Sequence, residues 1–159
     1  METYFNKDVP DMVNHPAHYV EQSVDGFEPI DLIEFWPTMI GNAMKYVIRA
    51  GHKGDVVEDL RKARWYLLRA LESFRDEPIF RANPHDYEHR EFIAPILAFA
   101  GTNAHINALF ATTLVDHDKG RENVLITCDD IAKCIRTVDD RLDEILDKRI
   151  KALSKCSKA

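Results

Sequence analysis

Apolar residues recur at steps of three and four through most of this chain, a period that predicts helices. The clearest pair lies between Thr38 and Phe74. Ile40, Met44 and Val47 form the stripe of a first helix that starts near Thr38 and stops at Gly51, a residue type that accepts the left-handed C-cap conformation. Val56, Leu60, Ala63, Leu67, Leu71 and Phe74 form the stripe of a second, which Asp55 and Glu58 open as a D-x-x-E capping box. Gly51-His52-Lys53-Gly54 is the joint between them, so the two make a helical hairpin. Upstream, Ile30, Leu32, Ile33 and Phe35 lie among carboxylates and suit a short helix that Pro37 ends.

After Phe74 the pattern breaks. Asp76-Glu77-Pro78 and Asn83-Pro84-His85 mark a linker over 76–87. Residues 88–100 return to a helical period, with Pro95 expected to kink or divide the helix. Residues 103–115 carry Ile106, Leu109, Phe110 and Leu114 on a further helix. Thr127 and Asp130 cap a last one, whose seam of Ile131, Ile135, Val138, Leu142 and Ile145 drifts to Leu146, Ile150 and Leu153. Residues 124–127 are the one run with strand character. The expected fold class is all-α: a helical hairpin core with a C-terminal helical bundle extension. Its expected division is a mobile arm at 1–12, a hairpin domain at 13–75, the linker, and an extension at 88–159 that packs in a bundle or against a partner chain.

Charge sharpens this picture. The chain carries a net −6, whereas residues 41–75 hold eight Lys or Arg and four Asp or Glu, a net +4. The acidic whole argues against an extended nucleic acid or an acidic membrane as partner, and the basic hairpin argues for one small anion. Lys45, Arg49 and His52 share the end of the first helix, Lys53 sits in the joint, and Lys62, Tyr66 and Arg69 line a face of the second. If those faces converge, they form a cationic pocket beside the N-terminus of the second helix, where a phosphate is the natural guest.

Other polar groups admit two readings each. His15-Pro16-Ala17-His18-Tyr19 is a turn that presents its ring side chains either to a ligand or to the hairpin as packing. Glu28, Asp31 and Glu34 could hold Mg²⁺, orient the cations of the hairpin, or form a solvated face. His85 and His89 have a metal-ligand spacing if helical, but exposed linker histidines are the commoner case. Cys128, Cys134 and Cys156 lack a C-x-x-C spacing and read as reduced thiols. There is no G-x-x-x-x-G-K-[ST] phosphate loop. The first residues lack the basic start and apolar run of a leader, and no stretch approaches a membrane span, so a cytoplasmic address is expected.

Four blocks carry a resemblance: His15 to Tyr19; Glu28-Pro-Ile-Asp-Leu-Ile-Glu34; Gly41-Asn-Ala-Met-Lys-Tyr-Val-Ile-Arg-Ala-Gly51 with Lys53 and Gly54; and Glu58-Asp-Leu-Arg-Lys-Ala-Arg-Trp-Tyr-Leu67. In this order they resemble a small domain of tailed bacteriophages, one member of which is similar to the C-terminal part of a phage deoxynucleoside monophosphate kinase. The resemblance covers about residues 13–75 and implies a host-cytoplasmic, nucleotide-binding phosphotransferase. Lys45, Arg49, Lys53 and Lys62 would then hold phosphates, with Asn42, Tyr46 and Tyr66 completing the substrate-binding set. His15, His18 and Tyr19 would contact base or sugar, one histidine moving a proton. The alternatives are a non-catalytic binder that sequesters a nucleotide signal, and an all-α nucleoside triphosphate pyrophosphohydrolase gathering Glu28, Asp31, Glu34, Glu58 and Asp59 on Mg²⁺. The cofactor is left unassigned by these readings, with Mg²⁺ as the candidate. A unit of this size is too small to enclose a nucleotide alone, so a homo-oligomer is expected.

Overall fold

Several helix starts in this protein are set by side chains that take up free backbone N–H groups. The computed structural model describes residues 21–73, 80–82, 89–112 and 124–156. Helix α1, Pro29–Ile33, begins with proline in its first turn, and Asp31 Oδ2 accepts from the Glu28 N–H at 2.7 Å. Helix α2, Thr38–Arg49, crosses α1 so closely at Gly41 that an added Cβ would lie 3.2 Å from Ile33 Cγ2. Gly51 and Gly54, at φ +92° and +74°, then turn the chain through the joint as the sequence predicts.

Helix α3, Val56–Ser73, is capped differently from expectation. Asp55 Oδ1 accepts from the Val57 N–H at 2.9 Å, while the Glu58 side chain turns to Lys62. The reciprocal box is therefore replaced by an Asx-type cap and an i,i+4 ion pair.

Helices α4, His89–Thr102, and α5, Ala104–Leu109, are divided by Asn103 rather than by Pro95. Asn103 Oδ1 accepts from the His105 and Ile106 N–H groups at 3.0 and 3.2 Å, and its Nδ2 donates to the Val47 carbonyl at 3.3 Å, tying this corner to α2. An interior proline costs about 3 kcal/mol, but α4 buries Ile93, Ile96 and Phe99 on one face, and that burial outweighs it. Helix α5 stops at Leu109; residues 111–112 are helical again, and the expected end at Val115 lies outside the described residues.

Strands β1, Phe80–Ala82, and β2, Val124–Ile126, pair antiparallel with Phe80 opposite Ile126. The first lies inside the segment expected to be linker. Two three-residue strands leave the class all-α, with six helices among the described residues.

Helix α6, Cys128–Cys156, starts at the predicted cap. Thr127 N–H donates to Asp130 Oδ2 at 3.0 Å while the Asp130 N–H donates to Thr127 Oγ1 at 3.2 Å. Asp130 is fully buried, and its charge is met by the hydroxyls of Thr112 and Thr127, both at 2.7 Å.

The helix runs antiparallel to α3, because Arg64 bonds Asp139 at 2.6 Å and Arg149 bonds Asp55 at 2.8 Å. One hydrophobic cluster results, drawing Met44, Leu60, Leu67, Phe99, Phe110 and Val138 from five regions of the chain. Trp36 meets Phe110 edge to face at 5.1 Å within it. The buried stripe of α3 passes through Val57, Leu60, Ala63, Leu67 and Ala70, one residue away from the predicted Val56 and Leu71 at its ends, since the helix must face both α2 and α6. Ile131, Val138 and Leu142 of the predicted seam are buried inside the protomer, whereas Ile150 and Leu153 are 63% and 72% exposed. Among the described residues no helix is long and apolar enough to cross a membrane.

Candidate functional site

Tyr46 and Tyr66 are the centre of the basic face. Each lies beside, not on, the buried stripe of its helix, so the hairpin brings their rings together over the α2–α3 groove, stacked at 5.8 Å with 15° between planes. Three cations surround Tyr46. Lys45 Nζ lies 5.1 Å, Arg49 Cζ 4.9 Å and Lys62 Nζ 5.6 Å from its centroid. Lys45, Tyr46, Arg49, Lys62 and Tyr66 of the predicted set are thus one constellation.

The same geometry reveals two carboxylates that temper it. Asp59, 2% exposed, accepts from Arg49 Nε at 3.0 Å and from Nη2 in a second bond, a two-pronged pair. Glu58 holds Lys62, and that hydrogen bond raises the lysine pKa. Counting Lys45, Arg49 and Lys62 against Glu58 and Asp59 leaves +1 on the face, less than the net charge of the hairpin implies. Among the described residues, no carboxylate pairs with Lys45 or Lys53. The N-terminus of α3, where the sequence places a phosphate, already holds an anion: the Asp55 carboxylate, kept below its usual pKa range by Arg149 and by the Val57 N–H.

Two predicted residues stand apart from the constellation. Asn42 donates Nδ2 to the Thr38 carbonyl of its own helix at 2.9 Å. Lys53 is exposed in the joint, as is His52. His15, His18, Tyr19 and His85 lie outside the described residues, as does the side chain of His89. The carboxylate row of α1 does not gather: Asp31 is used at the helix start, and among the described residues no group of three or more His, Cys, Asp or Glu could hold a metal ion.

Trp65 is the residue that sequence reasoning passed over. It is 57% exposed and meets Tyr66 edge-on at 4.9 Å and 85°, extending the aromatic surface beyond the groove. Its position off the apolar stripe, between Lys62 and Arg69, was the available signal. An exposed aromatic surface edged by lysines can stack a planar ring and hold an attached anion.

No curated protein and no solved structure matches this chain. Residues 13–68, which contain the whole constellation, match the model of a family described as a protein of unknown function (DUF3310).

Proposed function

We propose that the hairpin face binds a nucleotide, its base against the Trp65–Tyr66 surface and its phosphate between Lys45 and Lys62. The observation that supports this reading is the Tyr46–Tyr66 stack with three cations about one ring and an exposed tryptophan at its edge. Stacking of a base on an aromatic side chain contributes about 1–3 kcal/mol, and a charged hydrogen bond about 1.5–3 kcal/mol. Together these suit a small anionic ligand, and they leave the acidic remainder of the surface to exclude polynucleotides.

Phosphotransfer is the finer form of the same proposal. Moving a phosphoryl group depends on positioning and positive charge, which the face supplies in part, and on a group that takes the acceptor proton, for which His15 and His18 are the candidates. The non-catalytic binder needs only the face itself. Tryptophan fluorescence separates binding from its absence, because Trp36 is 7% exposed and Trp65 is the accessible reporter. Each deoxynucleoside monophosphate and triphosphate is titrated in, with and without Mg²⁺. A saturable quench that salt weakens and Trp65→Phe abolishes is the expected result; no change at millimolar nucleotide would sink the proposal. Chromatography of mixtures with a triphosphate donor then distinguishes a kinase, by new diphosphate, from a pyrophosphohydrolase, by released pyrophosphate, and from a binder, by unchanged nucleotide.

A further inference from the structure

We propose that the overhanging end of α6 docks into an acidic-rimmed apolar groove on a second copy of this chain, so that copies associate head to tail. The groove is built by a tight turn. Asp25 and Gly26 take left-handed backbone, φ +52° and +85°, and Val24 and Phe27 exchange two backbone hydrogen bonds of 2.9 Å across them. That turn fixes Phe27 between two hollows. One, of about 550 Å³, is floored by Ala94, Leu97, Ala98 and Gly101 of α4; the other, of about 510 Å³, is bounded by Glu34 and Phe35. Ala94, Ala98 and Gly101 follow at helical steps and form a trough beside Leu97, which is 45% exposed. Asp25, Asp31 and Glu34 stand on the rim, and among the described residues no Lys or Arg lines either hollow.

The complementary surface is the end of α6. Its two exposed apolar residues, Ile150 and Leu153, are three apart on one side of the helix, and residues 148–156 contain Lys148, Arg149, Lys151 and Lys155 with no acidic residue. The earlier part of the helix packs inside the protomer, so the end projects past the joint as a basic, apolar-sided peg. It cannot fold back into its own groove. Arg149 is bonded to Asp55 at the joint, and the twelve-residue α2, about 18 Å long, separates the joint from α1. An apolar peg with lysines and an apolar groove with carboxylates therefore match between copies and not within one. The contact joins two different patches, so it is heterologous and either closes into a ring or propagates.

The test uses the full-length chain in sedimentation velocity, with two variants at exposed positions. Leu153→Glu spoils the peg and Leu97→Glu spoils the groove. The wild type is expected to associate, more weakly in high salt, and each variant to weaken association about tenfold or more. Mixing the two variants is expected to restore a one-to-one dimer, because each retains the half the other lacks. A wild-type chain that stays monomeric at about 100 μM overturns the proposal. So does a mixture no larger than its components, which would show that peg and groove do not pair. Binding of the monomer to anionic phospholipid vesicles, lost in Leu153→Glu while Leu97→Glu behaves as wild type, would assign the peg to a lipid surface instead.

Discussion

Arg49 and Asp59 face one another across the hairpin as a two-pronged ion pair, the guanidinium partly open to solvent and the carboxylate buried. Removing one partner of such a pair leaves an uncompensated charge, at a cost of about 3–5 kcal/mol. Arg49→Ala should therefore lower stability by that amount in urea unfolding. The double variant Arg49→Ala/Asp59→Leu should recover much of it. Equal losses in the two would show that the pair does not couple α2 to α3.

Glu58 competes with any phosphate for Lys62. Glu58→Gln should tighten nucleotide binding several-fold, while Lys45→Ala should weaken it about tenfold, both with nearly unchanged unfolding midpoints since the groups are at the surface. Calorimetric titration measures the affinities. A Glu58→Gln chain that binds no better than wild type would place the phosphate away from Lys62.

Acid should loosen the junction between α6 and the hairpin. Arg149 and the Val57 N–H depress the Asp55 pKa below its ordinary value of about 3.9, so the carboxylate's contribution is complete above that value and is lost as pH falls through the depressed one. Asp55→Asn keeps an oxygen to accept from Val57 but loses the charge. The wild type should melt above this variant at neutral pH, and the gap should narrow as pH falls below the ordinary carboxylate value. A gap that persists in acid would assign the difference to packing rather than to ionisation.

Cys134 is fully buried, and burial pushes its thiol pKa up to about 12. Thiolate is the reacting form, so Cys134 should resist alkylation at about pH 8 and react only on unfolding. Mass spectrometry after a timed pulse of iodoacetamide checks this. Rapid labelling of Cys134 in the native protein would contradict its placement in the core.

The hairpin was legible in the sequence because both of its helices and its glycine joint rest on local signals. Ile40, Met44, Val47, Leu60, Ala63 and Leu67 are buried where the period put them. Lys45, Arg49 and Lys62 also meet about one ring, as expected if the two helix faces converge, and the Glu58–Lys62 pair follows a local i,i+4 spacing, but the neutralisation of Arg49 by Asp59 was hidden. Charge counts register signs along the chain and not distances, and the Arg49–Asp59 pair spans two helices. Pro95 does not divide α4, since helical propensity is a weak prior against a face as apolar as that of this helix. The pairing of residues 80–82 with 124–126 is non-local, and no periodicity announces it.

The antiparallel run of α6 along α3 has a consequence for synthesis. Arg149 leaves the ribosome 94 residues after Asp55, which at about 5–20 residues per second is a delay of roughly 5–19 s. For that interval the nascent hairpin carries its aromatic and basic face without the helix that later packs along α3. Its closure therefore waits on a helix encoded far downstream, even though the hairpin's own sequence is local.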